Sequence, residues 1–445
     1  MKKSLYLSVV ISLILSLFSC GNGTVPEAPE QTAPPEETEE TAAVPEDTHI
    51  DTETPVSETQ EANDPQVEEP VFTAHHPLTV EELNSLPVAN SSMTVNELRD
   101  LCLDFFILQA SFQWTPSETL TYSSTNSEHT FRKGELYGGL PYSQASSNLY
   151  SFLDYYDETT GIFDVAEAGP DFGTTLGNDC ADAVFWAWSR VSNSISFTVT
   201  SNMMPSRGCL KLGDVVYDEE AASFKNQYTK TICAENGTEV MYAAYALLEK
   251  ADGMVSSNGS GHARMVMENH PFYNGTEIDG EKSYVLTVEQ HSKLKSTWQG
   301  TDDDGAWVEV VGGIGTGYTY ANLFEKGYIP LTIAEFTGDD PVEEAHAELD
   351  PLPEDPDLEA LLASEIVSNY RISKVTYTVT DGDEVPLYGY LYGRQKTMYR
   401  MPVSDLIDSE KAAQAGLAGR SCTVTINAVV GTGETIPVFT GEVRF

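Results

Sequence analysis

The chain predicts an α+β protein: a larger body of helices and strands, closed by a small all-β, sandwich-like C-terminal domain. Three observations predict it. Capped helix starts lie early, at Thr79-Val80-Glu81-Glu82 and Thr94-Val95-Asn96-Glu97. Runs with strand character follow, at His262 to Met267 and Tyr284 to Glu289. The last stretch, 361–445, consists mainly of short alternating runs separated by turns such as Asp381-Gly382.

Residues 1–20 have the form of an export signal. Lys2 and Lys3 precede an apolar run from Leu5 to Phe18, too short at 14 residues for a permanent membrane helix, which needs ~20. The run ends in Leu17-Phe18-Ser19-Cys20 and resembles a bacterial lipoprotein signal. That resemblance implies that Cys20 becomes the acylated N-terminus, outside the cytoplasm and anchored to the cell membrane. Residues 21–71 then hold 15 Asp or Glu and no Lys or Arg. So acidic and apolar-poor a segment buries too little surface to offset its chain entropy, so 21–76 is expected to be a disordered tether.

The formal net charge of −45 speaks against nucleic acid as a partner. A calcium loop at Asp302-Asp303-Asp304-Gly305 fails the ligand pattern, with Gly300 in the first position and Val311 in the twelfth. The run Gly312 to Gly317 lacks the lysine and the context of a nucleotide loop. Beyond Cys20 there are five cysteines, Cys102, Cys180, Cys209, Cys233 and Cys422, so an exported chain keeps at least one thiol unpaired. Cys209 and Cys233 could pair, which spacing leaves open. No zinc spacing occurs, and neither metal nor cofactor is expected.

From Thr94 onward Leu98, Leu101, Cys102, Phe105, Phe106 and Leu108 recur at helical spacing, a core stripe. Gly138 to Tyr142 is a turn, Ala181 to Val191 a helix with Cys180 at its N-terminal end, and Lys211 to Tyr217 a turn into a strand. Val240 to Lys250 is a second apolar helix, and Asn274-Gly275 sits in the loop between the two later strands. Residues 341–360 form an acidic, proline-containing linker, and a short helical stretch, Leu358 to Val367, leads into the β-domain. There Val375, Tyr377 and Val379 alternate, as do Tyr388, Tyr390 and Tyr392, and the runs Cys422 to Val430 and Ile436 to Phe445 close the chain. The tyrosine stripe suits a half-exposed strand.

The chemistry concentrates in Gly177-Asn178-Asp179-Cys180 and Ser260-Gly261-His262. A thiol has a reference pKa of ~8.5, and a helix N-terminus together with a neighbouring imidazolium favours its thiolate. An imidazole can then protonate a leaving amine, once a third polar side chain holds its ring. Along the strand ending Val288-Glu289-Gln290-His291, alternation puts Glu289 and His291 on one face and Gln290 on the other.

At these residues the chain resembles the NlpC-type family of papain-like cell-wall cysteine peptidases. The matched elements run in order: Gly139 to Tyr142, Asp179-Cys180, Gly213 to Tyr217, Gly261-His262, then a strand with a third polar residue. The resemblance covers roughly residues 94–340 and implies a hydrolase domain over 77–340, with a papain-like core acting on amide bonds in the peptide stems of peptidoglycan. It makes Cys180 the nucleophile, His262 the base and Glu289 the orienting residue, with Gln290 and His291 as alternatives. Tyr142 and Asp179 would lie along the substrate. The chain departs from the family at Ala181-Asp182, where Ser-Gly is usual, and at Ala263. Two further readings use the same residues: a non-catalytic wall-binding lipoprotein, or an amidase, acyltransferase or transglutaminase-like enzyme.

Overall fold

The computed structural model describes residues 80–124, 127–145, 148–169, 176–291, 316–339, 341–392 and 399–445. Cys20, the tether, His75 and His76, and the runs Asp302 to Gly305 and Gly312 to Gly315 lie outside the described residues. The architecture mixes helices with several sheets, as an α+β chain should.

The first long helix is Val95–Ser111, and its start follows from local chemistry. Thr94 Oγ1 accepts the Glu97 amide at 3.3 Å, and Glu97 Oε2 accepts the Thr94 amide at 2.7 Å, so two orphan donors are satisfied. The expected stripe, from Leu98 to Leu108, is buried. Beside it, Trp114 collects Phe131, Tyr137, Phe152 and Phe163 into an aromatic cluster beneath the short strands Gln113–Pro116 and Ile162–Phe163.

A six-stranded sheet forms the middle of the body. Its order is Thr316–Thr319, Tyr284–Val288, Gly261–His270, Gly253–Ser257, Ile329–Ile333, Cys209–Lys211, and every neighbouring pair is antiparallel. The two expected strands, Gly261–His270 and Tyr284–Val288, pair with a bulge: Leu286 faces Glu268 while Thr287 faces Val266, leaving Met267 over. The helix Cys180–Trp188 packs against the Gly261–His270 strand. Its Trp188 donates to Ala251 O at 2.9 Å and lies over Gly253, where a Cβ would come within 2.8 Å of the indole. Only glycine permits that approach.

Two expectations differ in this body. Gly213 to Tyr217 is a turn rather than a strand; the strand is Cys209–Lys211, just before it. Gly213 takes φ +69°, and the Val216 amide is held by Asn236 Oδ1 at 2.7 Å, so the segment never enters the ladder. The helix expected over Val240 to Lys250 extends from Thr229 to Ala246 with a break at Gly237.

The C-terminal region contains two sheets, one of four strands and one of three, sharing a core of Ile366, Val375, Tyr377, Met401, Val424 and Ile426. It is not all-β: Leu358–Leu362, Val403–Leu406 and Ser409–Gln414 are short helices. The helix expected to reach Val367 stops at Leu362, and Glu365–Ser368 is a strand. Within 341–360, Ala347–Leu349 pairs with that strand. The region docks on the far end of the Cys180 helix. Arg371 lies 3.7 Å over the Trp186 ring, and Tyr370 donates to Val191 O at 3.4 Å and Glu343 O at 3.0 Å. Lys374 reaches Asp154 at 2.7 Å. Trp186 and Trp188 are core residues. Cys209 and Cys233 are not joined in a disulfide, and both are buried, as are Cys102, Cys180 and Cys422.

Candidate functional site

Cys180 is the first residue of its helix, and Asp179 is the N-cap. Asp179 Oδ1 accepts the Asp182 amide at 2.9 Å, and Asp182 Oδ2 accepts the Asp179 amide at 3.3 Å. This reciprocal cap is why the helix begins where it does. It also puts two carboxylates next to the thiol, opposing the stabilisation that a helix N-terminus offers a thiolate. Cys180 is 5% exposed.

Tyr142 stands beside this turn through a parallel bridge to Asn178. Burial, and then the nearby Cys180 and Asp179 charges, push its phenol well above the usual range. Behind it, Tyr122 donates to Tyr142 O at 2.8 Å, and His129 stacks on Tyr122 with ring centroids 5.3 Å apart. The hairpin carrying Tyr122 and His129 had no place in the sequence reading.

The His262 side is tied by side chains. His262 Nε2 bonds Glu289 Oε2. Arg264 Nε donates to the same oxygen at 2.7 Å, and Tyr318 OH donates to Oε1 at 2.6 Å. Burial alone would raise the Glu289 carboxyl, but the His262 bond, the charges of Arg264 and His262 and the Tyr318 hydroxyl outweigh it, lowering it to about 2. Tyr318 moves the other way, up to about 12, through burial and then its bond to the carboxylate. The Arg264 guanidinium lies 3.8 Å from the Tyr318 ring centroid and 4.4 Å from that of Tyr328.

The alternatives to Glu289 have other places. Gln290 donates to Leu140 O at 2.6 Å, beside the Tyr142 turn. His291 sets its ring edge-on to His262 at 4.8 Å. Thus His262 and Glu289 are brought together, while the next residue ties the same strand end to the turn flanking Cys180. Tyr328 spans the two sides: besides the burial that raises its phenol, it feels the charges of Arg264, Glu289, Tyr318 and Cys180. Arg264, Tyr318 and Tyr328 were missed in the sequence. The one available signal was an arginine at 264, two residues from His262 and so on its face.

Among the described residues, no group of three or more His, Cys, Asp or Glu side chains is arranged to hold a metal ion. The chain matches no family model, no curated protein and no solved structure.

Proposed function

We propose that this protein is a surface-anchored cysteine hydrolase on a papain-like core, cleaving amide bonds in the peptide stems of peptidoglycan. The observation that carries this reading is the His262–Glu289 bond on a strand packed against the helix that Cys180 opens. With Nε2 committed to Glu289, Nδ1 is the nitrogen available for proton exchange with a thiol. In the reaction the Cys180 sulfur attacks the amide carbonyl, the protonated His262 gives its proton to the departing amine, and an acyl-enzyme forms. Water, deprotonated by His262, then releases the acid and restores the thiol. Cys20 acylation would hold the enzyme at the membrane, and the acidic tether would let it reach the wall.

The test is hydrolysis of purified wall fragments by the mature chain. Cys180→Ala is expected to abolish product and His262→Ala to reduce it by at least ~100-fold. A Cys180→Ala protein as active as the parent overturns the reading.

One observation favours the non-catalytic alternative, a wall-binding lipoprotein: Asp179 and Asp182 flank the thiol. Under that reading Cys180 alkylates no faster at pH 6 than Cys102, Cys209, Cys233 or Cys422, while the intact protein still sediments with wall material.

A further inference from the structure

Glu289 is a long orienting side chain, and its carboxylate keeps one position only if both oxygens are engaged. Tyr318 takes Oε1, while His262 and Arg264 share Oε2. Arg264 is buried, and its Nε donates to this carboxylate. Its plane is fixed by the rings of Tyr318 and Tyr328, at 3.8 and 4.4 Å. A buried arginine held by two rings and hydrogen-bonded to the base's partner is more than filler.

We infer that Arg264 is a positioning residue that binds the Glu289 carboxylate and cancels its charge, so that Glu289 aims His262 without leaving a bare anion against the ring. The inference deepens the proposed cysteine chemistry and rests on it for its catalytic meaning, because an imidazole that must give up its proton to a leaving amine is impeded by an uncompensated carboxylate. The titratable and charged groups around this network are Glu289 and His291 at the end of Tyr284–Val288, Arg264 on the strand of His262, Tyr318 on Thr316–Thr319, and Tyr328 before Ile329–Ile333. Cys180 and Asp179 on the helix side, with Tyr142, complete the set among the described residues. Of these, Arg264 alone carries a permanent positive charge.

The experiment follows the His262 ring by NMR titration in the mature chain, with Cys180 alkylation measured alongside. In Arg264→Met the midpoint of the His262 titration is expected to rise by about one pH unit, because the carboxylate is left uncompensated and favours the imidazolium. In Arg264→Lys, which restores the charge, it should stay near the parent value. A folded Arg264→Met protein with an unmoved midpoint, or a lysine variant displaced as far as the methionine one, overturns the inference.

The double variant Arg264→Met/Glu289→Gln removes both charges and keeps the test open if the single variant does not fold. Its midpoint should match the parent. A fall of about one unit or more would mean that the carboxylate acts uncompensated in the parent, which also overturns the inference. If the midpoint moves as expected but Cys180 alkylates no faster than the other cysteines, the cysteine-hydrolase reading fails and the role of Arg264 stands.

Discussion

The six-stranded sheet carries two buried carboxylate–arginine pairs that behave in opposite ways. Asp252, just before Gly253–Ser257, accepts from Arg99 Nη1 at 2.9 Å, Thr332 Oγ1 at 2.6 Å and the Glu249 amide at 2.8 Å. Burial nevertheless wins and pushes its carboxyl up to about 6. Glu289, just after Tyr284–Val288, is also buried, yet its carboxyl is lowered to about 2. The difference lies in the donors gathered around each carboxylate. Arg99 also serves Glu249 at 3.2 Å and Lys250 O at 2.6 Å, and lies over the Phe336 ring. Glu289 is bonded by His262, and the charges of Arg264 and His262 and the Tyr318 hydroxyl lower it further. The first pair latches the Val95–Ser111 helix to the sheet; the second keeps an anion in a dry place beside the His262 ring.

The comparison is tested hardest by deletion. Glu289→Ala strands a buried guanidinium beside His262 and is expected to cost about 3–5 kcal/mol in urea unfolding at pH 7. Asp252→Asn replaces an anion already disfavoured by burial with an amide of the same shape, and should cost only about 1 kcal/mol. Equal costs would break the contrast.

The pH dependences should have opposite sign. The Glu289 carboxyl drops from 4.5 to about 2 on folding, so its contribution is fully present above pH 4.5 and is lost as the pH falls towards 2. That is roughly 3 kcal/mol. The Asp252 carboxyl rises from 3.8 to about 6, so its contribution is present below pH 3.8 and is lost as the pH climbs through 6, again roughly 3 kcal/mol. Unfolding midpoints measured from pH 3 to 7 should therefore show the Glu289→Gln deficit shrinking in acid. Asp252→Asn should gain on the parent as the pH rises.

Smaller effects sharpen the same picture. Tyr318→Phe removes a hydrogen bond to an ionised group and should cost about 1.5 kcal/mol. Thr332→Val, which removes one donor from Asp252, should cost about 1 kcal/mol or less, because that carboxyl is already pushed towards its neutral form. If Thr332→Val proves the costlier of the two, Asp252 is the better-held anion and the contrast is reversed.

Much of the frame was legible along the chain. The Thr94–Glu97 and Asp179–Asp182 caps span three residues each, so the side chains that start both helices lie within local reach. The burial of Leu98 to Leu108 follows from their spacing, and the alternation of Val375, Tyr377 and Val379 puts all three in the C-terminal core. The turn at Gly213 was misread as a strand entry because Val215, Val216 and Tyr217 have strand propensity. It is Asn236, from another element, that takes the Val216 amide. The helices Val403–Leu406 and Ser409–Gln414 went unseen because single turns carry too little periodicity to register.

The sequence by itself determined where the Val95–Ser111 helix begins, that a cysteine opens another, and that a histidine and a glutamate sit at strand ends. Those features depend on contacts a few residues long. Tertiary structure decided which of Glu289, Gln290 and His291 bonds the histidine ring through a hydrogen bond. Before the bulge the pairing runs Tyr284 to His270 and would bring Glu289 opposite Met265; after it Val288 faces Met265, and Glu289 lies opposite Arg264. A one-residue slip in pairing turns a side chain to the other face of a sheet, and no local pattern reveals where the slip occurs. The same holds for Arg264 and Tyr318, whose convergence on one carboxylate exists only once three strands are side by side, and for Tyr328, which meets Arg264 from just before another strand of the sheet.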